Sequence, residues 1–127
     1  MIRGDDMMNE IKESTAIFDD IKHIDAFGVE YWNARELMPL LEYKKWENFH
    51  NVIKEAMITC ENSGYQVSDC FPDERKSIIS GKGRISYIKD YNLNRYACYL
   101  IVQNGDPWKK CIALGQTYFA IQTRYLV

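Results

Sequence analysis

The chain has 127 residues, of which 46% are hydrophobic and 13% aromatic, and this composition is typical of one globular domain with a buried core. The length excludes a large α/β enzyme built from repeated strand–helix units, and the aromatic content argues against disorder. The net charge of −2 hides an asymmetry, because residues 1–73 hold 15 acidic and seven basic side chains and residues 74–127 hold three acidic and nine basic ones. The second half could therefore approach a polyanion, or it could form part of a solvated surface of mixed charge.

Targeting and metal-binding signals are weak. No apolar run reaches the length of a membrane span, and the first residues lack the apolar core of a signal peptide. The four cysteines form no Cys-x-x-Cys pair and match no common zinc spacing. We therefore expect reduced thiols, no metal, no cofactor, no membrane association and a cytoplasmic location.

The N-terminal third predicts a helix and a hairpin. Residues 7–18 carry apolar side chains at helical spacing, and we treat residues 1–19 as an N-terminal helical extension of a domain covering residues 20–127. Residues 19–33 predict a β-hairpin whose turn contains Gly28, a residue that tolerates positive φ.

Two helices are predicted next. Asn33 followed three residues later by Glu36 is a capping-box pattern, and it predicts a short helix over residues 34–41. Residues 45–62 form the clearest amphipathic pattern in the chain. A short helix, a turn and a longer helix resemble a helix-turn-helix, but such pairs are also common in α+β domains.

Residues 65–91 predict irregular, partly extended chain that contains a second short hairpin with a Gly-Lys-Gly-Arg tip. Glycines let a backbone turn tightly and approach a phosphate closely. The alternative is a solubilising loop. As DNA-binding residues we predict the cations at and beside this tip: Arg75, Lys76, Lys82, Arg84 and Lys89.

The remaining chain predicts two more helices. Residues 93–104 are apolar almost all round, so Leu100 and Ile101 should be buried. A last helix begins near Trp108 and carries apolar side chains on one stripe to the chain end. If exposed, such a stripe marks an interface, and we predict a homodimer through four residues: Tyr118, Ile121, Tyr125 and Leu126.

Three local patterns have competing explanations. Glu42 and Lys44 match half of a metal-nuclease motif but follow a helix, so a nuclease is a minor alternative. Trp32 could stack a nucleic-acid base, but an aromatic residue at a strand end more often closes a core. Asp90 and Arg95 flank a helix start, and we interpret them as a structural ion pair. No catalytic residue is predicted.

Three segments resemble known families. The segment from Tyr31 to Tyr43, Tyr-Trp-Asn-Ala-Arg-Glu-Leu-Met-Pro-Leu-Leu-Glu-Tyr, resembles the opening of the BRO N-terminal domain found in phage antirepressors and baculovirus repeated-ORF proteins. The segments from Asp90 to Pro107 and from Gly115 to Arg124 resemble the family of bacterial DNA-damage-inducible D proteins. The resemblance covers about residues 20–125.

The resemblance implies a bacterial protein of the damage response or of mobile elements, linked to DNA binding and to control of recombinase filaments. Members of that family are usually longer, so we expect this chain to be the N-terminal part of a longer protein. From the resemblance and the residue patterns together, we expect an α+β fold of two short hairpins and four or five helices. The expected function is a non-enzymatic, weakly sequence-specific DNA-associated regulator of the bacterial DNA-damage (SOS) response, with a recombinase or repressor as a further partner. The alternative is an antirepressor-type protein-interaction module that does not bind DNA.

Overall fold

The computed structural model describes residue 12, residues 16–120 in full and the backbone of residues 121–124. The helices are the turn at residues 16–20 (α1), Ala34–Leu40 (α2), Trp46–Asn62 (α3), Val67–Cys70 (α4), Arg95–Gln103 (α5) and Lys110–Arg124 (α6). The strands are His23–Ile24 (β1), Glu30–Asn33 (β2), Asp73–Ile79 (β3) and Ile85–Leu93 (β4). The fold is α+β, as the sequence predicts.

The strands form one antiparallel sheet in the order β1-β2-β4-β3. The predicted first hairpin is confirmed as β1 and β2, and Gly28 has a φ of 81° in its turn. β2 pairs with β4 only through Trp32 with Leu93 and Asn33 with Asn92. On the N-terminal side of Asn92, β4 therefore pairs with β3 alone. We call this two-stranded ribbon, residues 73–91, the arm.

The core lies where α3, α5 and α6 meet the inner strands. Trp32 is fully buried and donates from its indole Nε1 to the carbonyl oxygen of Phe18 at 2.9 Å. Phe119 meets the rings of both residues edge-on, with centroids 5.2–5.3 Å apart. Leu100 and Ile101 are buried, as predicted. Trp32 therefore closes the core and is not available to stack a base.

The structure corrects several boundaries. The second hairpin is long, because β3 already begins at Asp73 and β4 continues to Leu93, where a helix was expected. α5 starts only at Arg95, and Asn94 caps it by accepting from the amide of Ala97 at 2.8 Å. The four-residue helix α4 was not predicted. Of the predicted helix at residues 7–18, only residue 12 and residues 16–18 lie within the described chain, and Phe18 belongs to the core.

Candidate nucleic-acid interface

The two faces of the arm differ in charge and exposure. Side chains alternate across a strand, so residues that pair across the ribbon share a face. The inner face carries Glu74 opposite Asp90 and Lys76 opposite Ile88. The outer face carries Arg75 opposite Lys89 and Ser77 opposite Tyr87.

On the inner face, Lys76 forms an ion pair with Asp90. Its ammonium Nζ lies 3.0 Å from the fully buried carboxylate of Asp90 and 2.9 Å from Oδ1 of Asn33. Asp90 also accepts from Asn33 Nδ2 at 2.9 Å and from the amide of Arg35 at 3.1 Å. This network fastens the base of the arm to β2 and α2. The ammonium of Lys76, one of the predicted DNA-binding residues, is thus engaged by Asp90 and Asn33, while its side chain is 38% exposed.

On the outer face, the cations point to solvent. Arg75 and Lys89 lie directly opposite each other, and like charges in that position repel. Asp73 relieves part of this repulsion, because its carboxylate lies 3.2 Å from Lys89 Nζ, and this hydrogen bond is the first cause of the raised pKa of Lys89. Both cations remain exposed, and Tyr87 beside them is 66% exposed.

The tip of the arm is a closed turn. The amide of Gly83 donates to the carbonyl oxygen of Ser80 at 2.9 Å, and Gly83 has a φ of 74°. Lys82 and Arg84 are exposed within this turn and do not lie on a strand. Next to the turn, Ile79 and Ile85 are 78% and 60% exposed. The tip therefore presents two cations beside an apolar pair.

The outer face of the arm continues onto α2 and α3. The hydroxyl of Tyr91 and Nε2 of His50 are hydrogen-bonded at 2.8 Å, and the rings of His50 and Trp46 stack with centroids 5.3 Å apart. The guanidinium of Arg35 lies 4.1 Å from the centre of the Trp46 ring. Burial, followed by the charges of Lys54, Lys89 and Arg35, lowers the pKa of His50. We call these residues the His50 cluster: Arg35, Trp46, His50, Lys54, Lys89 and Tyr91.

The sequence analysis did not single out the His50 cluster as a site. The members come from α2, α3 and β4, and only the fold brings them together. The available signal was the spacing of Trp46, His50 and Lys54, which places aromatic, imidazole and ammonium groups on one side of a helix.

The predicted pair of Asp90 and Arg95 is wrong. Arg95 binds Glu30 instead, with Nε and Nη2 donating to the two carboxylate oxygens at 2.7 and 2.8 Å. The guanidinium also lies over the ring of Trp32, 4.9 Å from its centre. Asp90 and Arg95 diverge because β4 continues past Asp90 before α5 begins. Arg95 therefore fastens α5 to β2.

The apolar stripe that was predicted to form a dimer interface lies only partly within the described residues. Tyr118 is buried, and its hydroxyl donates to Asp19. Tyr118 thus contributes to the core and presents no apolar surface to a partner. The side chain of Ile121 and the residues Tyr125 and Leu126 lie outside the described part of the chain, and an interface through them stays a prediction.

The other candidates for chemistry are dispersed. Glu42 and Lys44 are exposed in the connection between α2 and α3, and Glu42 has a φ of 63°. Among the described residues, no group of three acidic, histidine or cysteine side chains is placed to hold a metal ion. The four cysteines are free thiols, and burial, followed by contact with Cys70, raises the pKa of Cys60 to about 11. A thiol with so high a pKa is a poor nucleophile at neutral pH.

Comparisons with known proteins identify the family of the chain. Residues 20–119 match the N-terminal domain of the BRO family, and the protein belongs to that family. The chain is also similar to DNA damage-inducible protein D of Escherichia coli (strain K12), with 50% identity over 107 residues, which are 84% of this chain and 39% of the relative. The chain thus spans about two fifths of the length of that relative. No solved structure matches the chain significantly. No described helix is long and apolar enough to cross a membrane.

Proposed function

We propose that this domain is a non-enzymatic DNA-associated regulator of the bacterial DNA-damage response, acting in the cytoplasm, and that its arm contacts the phosphate backbone. The similarity to DNA damage-inducible protein D supports the biological setting. The observation that carries the proposal is the outer face of the arm, where Arg75 and Lys89 stand opposite each other and remain exposed. A bound polyanion relieves the repulsion between these two cations.

The arm offers four cations to DNA: Arg75, Lys82, Arg84 and Lys89. Phosphate contacts carry no base code, so binding should depend weakly on sequence and strongly on salt. If all four cations contact duplex phosphates, the logarithm of the binding constant should fall with the logarithm of salt concentration with a slope of about −3 to −4. Lys76 is left out of this set, because Asp90 and Asn33 occupy its ammonium.

The test replaces the two cations of the tip. The double variant Lys82→Glu/Arg84→Glu should bind a fluorescently labelled DNA more than tenfold weaker at low salt, with unchanged thermal unfolding, because the turn buries little. The control is Lys109→Glu/Lys110→Glu, which changes the net charge equally at the start of α6. Equal affinity of wild type and tip variant would contradict the proposal.

A second candidate function, an antirepressor-type protein-interaction module, is favoured by one observation. The arm exposes apolar side chains, among them Ile79, Ile85 and Tyr87, which are 60–78% exposed. Exposed apolar groups of this kind are typical of protein interfaces. A recombinase or a repressor is the partner that the bacterial setting suggests.

The two functions differ in their need for nucleic acid. If the arm binds protein directly, a partner captured from damaged bacterial cells stays bound after nuclease treatment and is lost with Ile79→Ser/Ile85→Ser. If the partner is bridged by DNA, nuclease treatment releases it. Lack of DNA binding by the wild type, together with nuclease-resistant capture, would favour the second function.

A further inference from the structure

We propose that the His50 cluster is a second phosphate-contacting site and that DNA bound to the arm continues over the first half of α3. This inference rests on the proposed function and adds residues that the sequence analysis did not select. Its ligand is a phosphodiester group of the same nucleic acid that the arm binds.

The geometry joins the cluster to the arm without a gap. Lys89 belongs to both, since it stands opposite Arg75 on the ribbon and its ammonium lies 5.3 Å from the centre of the Tyr91 ring. Tyr91 in turn is hydrogen-bonded to His50. A nucleic-acid backbone that follows the outer face of the arm therefore arrives at the side of α3 that carries His50 and, one turn later, Lys54.

The groups facing His50 come from four elements and are mostly cationic. Lys54 and Trp46 lie on α3, Arg35 lies on α2, and Lys89 and Tyr91 lie on β4. Among the described residues, the acidic group that faces His50 is Asp73 on β3, which is 71% exposed and bound to Lys89. Three cations against one exposed carboxylate make a local excess of positive charge suited to an anion.

The aromatic rings hold part of this charge in place. Arg35 is fixed from two sides, because its Nε donates to the carbonyl oxygen of Lys89 at 2.8 Å while its guanidinium stacks on Trp46. A cation whose position is already fixed loses little conformational freedom when it binds an anion. The cluster is therefore preorganised at Arg35 and adjustable at Lys54, whose side chain is exposed.

Phosphate binding should be linked to the protonation of His50. In the free protein, burial and the three cations lower the pKa of His50 below its ordinary 6.5, so the ring is neutral at neutral pH. A phosphate placed among these cations favours the imidazolium, raises the pKa of His50, and so takes up a proton on binding. The affinity for DNA should therefore increase as the pH falls toward the pKa of His50 in the free protein. The total increase should be about tenfold for each unit by which DNA binding raises the pKa of His50.

The experiment measures the affinity of labelled 20-nucleotide single strands and 20-base-pair duplexes as a function of salt and of pH between about 5.5 and 8. Lys54→Ala should lower the steepness of the salt dependence by about 0.7 on single strands or 0.9 on duplexes, the value of one phosphate contact. The matched control is Lys22→Ala, which removes one cation beside Asp19 and Glu30 on the other edge of the sheet. His50→Gln, which keeps a hydrogen-bonding group for Tyr91, should abolish the pH dependence. His23→Gln, at the other histidine, should keep it.

The outcomes separate this inference from the proposed function. One outcome overturns the second site and leaves the arm in place. In that outcome, Lys82→Glu/Arg84→Glu weakens DNA binding, but Lys54→Ala leaves the salt slope unchanged and His50→Gln leaves the pH dependence unchanged. Absence of DNA binding by the wild type overturns both. Loss of one contact with Lys54→Ala supports the second site even if His50→Gln alters folding, because Lys54 is exposed and buries nothing.

Discussion

At the scale of single residues, buried polar groups position the exposed ones. Asp90 holds Lys76 on the inner face of the arm and also binds Asn33 and the amide of Arg35. The base of the arm is thereby fixed, while Arg75 and Lys89 on the opposite face stay in water. The same carboxylate thus separates a structural lysine from the cations that we assign to DNA.

Replacing Asp90 should therefore weaken the domain and not only the arm. Asp90→Asn keeps the shape but removes the charge that four donors share, namely Lys76 Nζ, Asn33 Nδ2 and the amides of Arg35 and Tyr91. Hydrogen bonds to a charged group contribute about 1.5–3 kcal/mol. We expect a loss of about 2–3 kcal/mol in the free energy of unfolding, measured in urea, with Lys76 turning to solvent. Asp73→Asn, at an exposed position, should change it by less than about 0.5 kcal/mol. Equal stability of the two variants would contradict the role given to Asp90.

The pair of Glu30 and Arg95 should control stability in acid. The hydrogen bond from Arg95, the largest cause, lowers the pKa of Glu30 below 4.5 in the folded state. A lowered pKa contributes stability above the ordinary value, and this contribution is lost as the pH falls through the folded-state pKa. Glu30→Gln should unfold more easily at pH 7 and show a flatter decline in thermal stability below pH 4.5. Glu47→Gln, on the exposed side of α3, should decline like the wild type.

At the scale of elements, the contact between α5 and α6 depends on a close approach. A Cβ atom added at Gly115 would lie 2.9 Å from Cγ1 of Val102 and 3.2 Å from Cζ of Phe18. Val102 is fully buried and Phe18 nearly so, so neither side chain has free space to move into. A small residue at this point of α6 lets the two helices pack around the ring of Phe18.

Gly115→Ala sets helix propensity against packing. Alanine favours a helix by about 1 kcal/mol over glycine, whereas an extra methyl group in a tight core costs about 1–3 kcal/mol. We expect packing to dominate and the thermal midpoint to fall. Gly81→Ala, where an added Cβ meets nothing within 4 Å, serves as the control. A stabilised Gly115→Ala variant would show that α5 and α6 separate easily.

At the scale of the whole molecule, the charge asymmetry of the sequence has a spatial meaning. The cations of the second half concentrate on the arm, which leaves the body of the sheet at Asn92. The other four cations of this half lie outside the arm: Arg95 is buried and bound to Glu30, and Lys109, Lys110 and Arg124 lie at or on α6. The domain can therefore carry a small negative net charge and still present one cationic ribbon.

The predicted self-association through the chain end can be tested by the molecular mass in solution. With Tyr118 in the core, the predicted interface reduces to Ile121, Tyr125 and Leu126. We expect a dimer mass by light scattering at high micromolar concentration, and a monomer for Tyr125→Ser/Leu126→Ser. A wild-type monomer under the same conditions would remove the interface.

Elements whose signals are local can be predicted from the sequence alone. A turn glycine predicts the first hairpin, a capping pattern predicts the cap at Asn33, and an amphipathic period predicts the helix α3. Each of these signals depends on residues that lie only a few positions apart in the chain. The resemblance to the family is also visible in the sequence, because it rests on continuous motifs. α4 was missed because four residues hold too little periodicity to detect.

The way in which distant residues combine depends on the three-dimensional fold. Arg95 could not be paired from sequence, since its partner Glu30 lies 65 positions away and Asp90 is the nearer carboxylate in the chain. Nothing local separates Lys76 from its neighbour Arg75, and strand register alone turns one inward to Asp90 and the other out to solvent. The His50 cluster likewise exists only where α2, α3 and β4 meet, because ion pairing and ring stacking depend on distances in space and not on spacing along the chain.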